Sequence, residues 1–71
     1  MPDMIYVDSS NVDQIGYDEP SQELHVTFKN GGYYVYLNVP EHIFDGLKNA
    51  ASVGSYLNRE IKGAYSFEKR G

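Results

Sequence analysis

The stretch "ELHVTFK" at residues 23–29 constrains the fold more than any other part of this chain. Leu24, Val26 and Phe28 alternate with Glu23, His25, Thr27 and Lys29, so an extended backbone gives one apolar and one polar face. "NGG" at 30–32 follows, with the residue chemistry of a hairpin turn, and residues 33–37 supply the return strand. Both faces of that strand are apolar or aromatic, with Tyr33, Val35 and Leu37 on one and Tyr34 and Tyr36 on the other. A two-residue turn at Asn30-Gly31 pairs Phe28 with Tyr33 and Val26 with Val35. A three-residue loop over Asn30, Gly31 and Gly32 pairs Phe28 with Tyr34 and Val26 with Tyr36, its second glycine suited to the left-handed closing position. One residue of slip exchanges the two faces, and propensity leaves the registers nearly level.

Around this hairpin the pattern predicts a strand at 13–18, with Ile15 and Tyr17 on one side, and a turn at "DEPSQ". Before it lie an extended lead-in, "MPDMIYVD", and a turn-prone "SSN". Pro40 suits the first turn of a helix over 40–49, which carries Ile43, Phe44 and Leu47 at helical spacing. Gly46 inside it either weakens the helix by about 1 kcal/mol relative to Ala or permits close packing. Ser52 caps a second helix over 53–62, with Gly63 as its stop. Val53, Tyr56, Leu57 and Ile61 form its apolar stripe, and Ser55, Asn58, Arg59 and Lys62 the opposite face. Glu60 falls inside the apolar arc, which places it at a margin with a basic or tyrosine partner. "AYSFEKRG" reads as a short final strand or an ordered coil that tucks in Tyr65 and Phe67.

The predicted fold is α+β: a three-stranded antiparallel β-meander followed by two short helices packed on one face. Leu24, Val26, Phe28, Phe44, Leu47, Leu57 and Ile61 are the expected core. The 71 residues make a single domain with short flexible ends, and a chain of this size buries only about 60% of its unfolded surface. It has no cysteine, so neither disulfides nor thiolate metal sites are expected. No apolar run is long enough for a membrane span and the start lacks the pattern of a signal peptide, so a cytoplasmic protein is expected.

Residues 1–47 hold Lys29 against eight acidic side chains, a net −7, whereas residues 48–71 hold five bases against two acids, a net +3. The overall charge of −4 argues against a general polyanion binder. No catalytic constellation is visible. His25 and His42 lie on different elements without metal-ligand spacing and read as surface residues. The glycine pair at 31–32 precedes a strand and not a helix, so it is no phosphate loop. A non-enzymatic module with no metal and no cofactor is expected.

"SSNV" with "IGYD", then "LHVTF", "GGYYVY", "VPEHIFDGL" and "GSYLNREIKGAY", in that order, resemble the KTSC domain over about residues 7–65. That family is named for the C-terminus of some lysyl-tRNA synthetases and also occurs as short stand-alone bacterial and phage proteins. Its tyrosine-any-tyrosine motif falls on Tyr34 and Tyr36, its later aromatic-Asn stretch on Tyr56 and Asn58, and its closing tyrosine on Tyr65. It has no established activity, and its tRNA-enzyme context implies RNA binding. Members often carry Lys or Arg where this chain has Val35, Val53, Ser55 and Ala64. A family that tolerates charge between the two tyrosines implies that Tyr34 and Tyr36 point inward, toward the helices.

Two functions are therefore expected of the chain. One is weak RNA binding, with Tyr36 stacking a base and Asn58, Arg59 and Lys62 meeting the backbone. The other is association with a protein partner or a second copy through an outward apolar strip of Tyr33, Val35 and Leu37.

Overall fold

A computed structural model describes residues 2–71. The hairpin at its centre joins β3 (Glu23–Phe28) to β4 (Tyr33–Tyr36), with Val26 opposite Tyr34 and Leu24 opposite Tyr36. Gly31 N–H donates to the Phe28 carbonyl (2.9 Å), and Phe28 N–H donates to the Gly32 carbonyl (2.8 Å). The loop is thus Lys29, Asn30 and Gly31, one residue earlier than the sequence suggests. Gly31, not Gly32, takes the left-handed conformation, with φ +98°. Partners shift by two residues from the expected three-residue register. The faces do not change, because side chains alternate with period two. Tyr34 and Tyr36 lie with Leu24 and Val26 on the helix side.

The sheet has five strands among the described residues, not three. Its order is β1 (Met4–Tyr6), β2 (Val12–Asp18), β3, β4 and β5 (Phe67–Lys69), every neighbour antiparallel. The two additional strands are the extended lead-in and the C-terminal segment, both edges of three residues. A bulge at Asp13 breaks the period of β2, since Val12 opposes Phe28 while Gln14 opposes Thr27. The extra residue brings Val12 and Ile15, an odd number apart, onto the same buried face.

Two helical segments cover that face, α1 (Glu41–Lys48) and α2 (Val53–Tyr56), the second continuing as a π-helical turn over Leu57–Ile61. Ser52 caps α2 by accepting from the Ser55 N–H at 3.3 Å. In the π turn Lys62 N–H bonds the Leu57 carbonyl, an i→i+5 pattern. The wider turn brings Ile61 back beneath Leu57 and rotates Glu60 out to solvent, where it pairs with Arg59 at 2.9 Å. Tyr17 of β2 stacks on Phe44 of α1 at 5.3 Å.

Leu24, Val26, Leu47, Leu57 and Ile61 are fully buried, as the periodicity predicts. Phe28 and Phe44 are only half-buried, because each lies at an end of the sheet–helix interface. Val12, Ile15, Tyr36, Val39 and Val53 take the remaining positions of the core between sheet and helices. No helix among the described residues is long and apolar enough to cross a membrane.

A candidate nucleic-acid interface at the sheet margin

Where the helices stop short of β4 and β5, the inner face of the sheet opens into a cleft of about 770 Å³. Its wall is a run of rings. Phe28 meets Tyr34 edge-on at 5.5 Å, Tyr34 meets Phe67 at 5.5 Å, and Phe67 meets Tyr36 at 5.7 Å. Register explains the run: Phe67 opposes Tyr36 and Lys69 opposes Tyr34, so both β5 side chains share the tyrosines' face. Tyr36 is buried, and that burial, followed by the neighbouring Tyr34, holds its phenol above the ordinary value of 10.0. Phe67 is 55% exposed and offers a ring face to solvent.

Three lysines border the rings, each from a different element. Lys29 comes from the hairpin loop and Lys69 from β5. Lys62 follows the π turn, where the backbone becomes extended (φ −63°, ψ 128°) and the chain leaves the helix, so its Nζ lies 5.4 Å from the centre of Phe28. No aspartate or glutamate side chain among the described residues lines the cleft.

Of the residues nominated from sequence, Tyr36 and Lys62 meet here. Asn58 lines an adjoining groove that also reaches Lys62. Arg59 joins neither, since it pairs with Glu60 and lies over the Tyr56 ring at 5.7 Å. Sequence reading passed over Phe28, Lys29, Phe67 and Lys69 as site residues. Alternation places Lys29 on the polar face of the strand, and Phe67 and Lys69 fall in the C-terminal segment. Of the motif tyrosines, Tyr34, Tyr56 and Tyr65 are half-buried against the core and Tyr36 belongs to it.

The outer sheet face differs from expectation. Val35 is fully buried within the one chain, in a row between His25 and Glu68, so no exposed apolar strip runs through Tyr33, Val35 and Leu37. His25 is also buried, at 3% exposure, rather than on the surface. The Glu23 carboxylate can only accept, so His25 Nε2–H donates to it (3.2 Å) while Nδ1 accepts from the Tyr33 hydroxyl (2.6 Å). Both ring nitrogens are satisfied, which lets a polar ring sit in this row. His42 is exposed. No group of His, Cys, Asp and Glu among the described residues is arranged to hold a metal ion.

Five antiparallel strands with two helical segments on one face define a small α+β domain. Residues 8–65 match the KTSC domain, and the chain belongs to that family. A crystal structure of a KTSC domain protein from Yersinia pestis superimposes with a TM-score of 0.95 at 34% identity, over 100% of both chains. A lysine–tRNA ligase of Nostoc punctiforme is 36% identical over 62 residues, 87% of this chain but 11% of the ligase. A protein of Tsukamurella paurometabola is 39% identical over 56 residues, 79% of this chain and 84% of that protein. The chain thus spans about a tenth of the length of the ligase relative and most of the Tsukamurella one.

Proposed function

We propose that this domain is a non-enzymatic RNA-binding module that takes a single strand into the cleft of Phe28, Tyr34 and Phe67; Tyr36, 3% exposed, supports these rings and does not itself stack a base. The observation that carries the reading is a segregation of charge. Three of the six Lys and Arg residues line this one cleft, and none of the Asp or Glu side chains among the described residues does, in a chain of net charge −4. Aromatic faces accept unpaired bases by stacking while lysines neutralise the connecting phosphates, the combination by which single strands are held. The lysine–tRNA ligases among its relatives, enzymes named for joining lysine to tRNA, support the same reading.

Three lysines predict weak binding with a shallow salt dependence. On single strands log K falls by about 0.7 per neutralised phosphate for each unit of log salt, so the slope should be about −2. Fluorescence anisotropy with a labelled oligouridylate in dilute buffer measures both quantities. Lys62→Ala should lower the slope by about 0.7. Phe67→Ala, at an exposed ring, should weaken binding by about 1–3 kcal/mol without altering the fold. Absence of binding in dilute buffer, or a salt slope indifferent to Lys29, Lys62 and Lys69, overturns the reading.

A further inference from the structure

The cleft does not end at Lys62. A second groove of about 620 Å³ continues from it toward the start of α2, and the two share Ser10, Asn11 and Lys62. Its character is different: where the first is walled by rings, the second is lined by hydroxyl and carboxamide groups, among them Ser55 and Asn58. Some polar groups near it are already engaged. Ser9 Oγ accepts from the Val12 N–H (3.2 Å) and donates to Asn11 Oδ1 (3.1 Å), and Ser52 Oγ caps α2. The Asn11 carboxamide is therefore fixed by its oxygen, which turns its NH₂ group away from Ser9. Asn58 stands on the π turn one step before Arg59, and the wider turn that diverts Arg59 presents Asn58 to the groove.

Resting on the RNA reading above, we propose that the bound strand crosses Lys62 from the aromatic cleft into this groove, and that Asn11, Ser55 and Asn58 read ribose 2′-hydroxyls there. The chemistry fits that group. A 2′-hydroxyl both donates and accepts, and it is the group that distinguishes RNA from DNA at a given site. Carboxamides and serine hydroxyls also both donate and accept, so they match it at little electrostatic cost; they can also donate to phosphate oxygens but neutralise none of the charge. Among the described residues the only cationic side chain lining the second groove is Lys62, at the junction, and Asp8, which also lines it, disfavours a further phosphate. One phosphodiester at the junction with sugars beyond it satisfies both constraints.

The test compares oligouridylate with oligodeoxyuridylate of the same length, about eight nucleotides, within the range a single small domain occupies. The two probes differ only at the 2′ position. The parent should prefer the ribose probe about five-fold or more, the value of one net hydrogen bond. Asn58→Ala, and separately Ser55→Ala, should lower ribose affinity toward the deoxyribose value and leave deoxyribose affinity unchanged, with far-ultraviolet circular dichroism as the folding control. Lys62→Ala should weaken both probes together. Equal affinity of the parent for the two probes, or groove variants that weaken both in parallel, overturns the inference and leaves the aromatic cleft standing. Binding of neither probe removes the RNA reading itself.

Discussion

Gly46 sits inside α1, where a glycine lowers helix stability by about 1 kcal/mol relative to alanine. Alanine there would be expected to stabilise a short helix. The structure predicts the reverse. A Cβ built at Gly46 meets the Tyr56 hydroxyl in direct overlap, with Tyr56 Cζ at 2.8 Å and Cε2 at 3.1 Å. The ring cannot retreat freely, because it packs against the core on one side and carries the Arg59 guanidinium over its face. Forcing a methyl into such a contact costs about 1–3 kcal/mol, more than the propensity gain, so Gly46→Ala should destabilise by about 1 kcal/mol. In a Tyr56→Ala background the overlap is gone and only propensity remains, so the same substitution should stabilise by about 1 kcal/mol. The coupling of about 2 kcal/mol is the measurement. Urea unfolding followed by circular dichroism on the four proteins supplies it. Stabilisation by Gly46→Ala in the parent, or a coupling within error of zero, would show that Tyr56 does not hold α1 and α2 together.

Leu57, 1% exposed where α2 passes into the π turn, should cost about 2–5 kcal/mol on truncation to Ala, which denaturant unfolding will show as a loss of much of a small domain's stability. Burial raises the phenol pKa of Tyr36 above 10.0, so the unfolded chain releases that proton first. The contribution of this group to stability should therefore be fully present below pH 10.0 and be lost as pH rises through the higher folded value. Tyr36→Phe should flatten that fall in urea titrations, although Tyr17, whose phenol is raised chiefly by burial and then by Glu41, retains part of it. Arg59→Ala should change oligouridylate affinity less than two-fold while Lys62→Ala weakens it clearly, since Arg59 points away from the cleft; equal losses in anisotropy would return Arg59 to the interface.

How far the sequence discloses this fold depends on the length over which each pattern persists. Six alternating residues make the buried face of β3 legible, but the glycine turn leaves that of β4 open between two registers; the family's tolerance of charge between Tyr34 and Tyr36 decides it, and an error of two residues in register then costs nothing in face assignment. β1 and β5 were legible only as an extended lead-in and as one of two readings of the C-terminal segment, because three residues at an edge carry no periodicity and Phe67 lies largely exposed. The bulge at Asp13 hid Val12 from the core by putting it out of step with Ile15. The π turn has no sequence signature, and it is the reason that helical spacing placed Glu60 in the apolar arc and Arg59 beside Lys62. Part of the candidate site was hidden for the same reasons, since Lys69 and Phe67 are brought in by the pairing of a final strand that the sequence left open as strand or coil, and Lys29 by a loop one residue earlier than expected.

Charge makes the same point about function. Divided along the chain, the first 47 residues carry −7 and the remainder +3, and a reader of that division looks for a partner only on the C-terminal helix. Lys29, the single base of the acidic part, lines the same cleft as Lys62 and Lys69, two bases of the other part. Net charge therefore misstates what a ligand meets at this margin. Fields from exposed carboxylates elsewhere are screened over about 8–10 Å at physiological salt, whereas lysines lining one cleft act on a bound phosphate at contact. An acidic domain can on these terms bind a polyanion weakly and at one place. On the proposed function, its remaining negative surface would oppose indiscriminate attachment along the same strand and confine what the cleft gains in affinity to segments whose bases are free to stack.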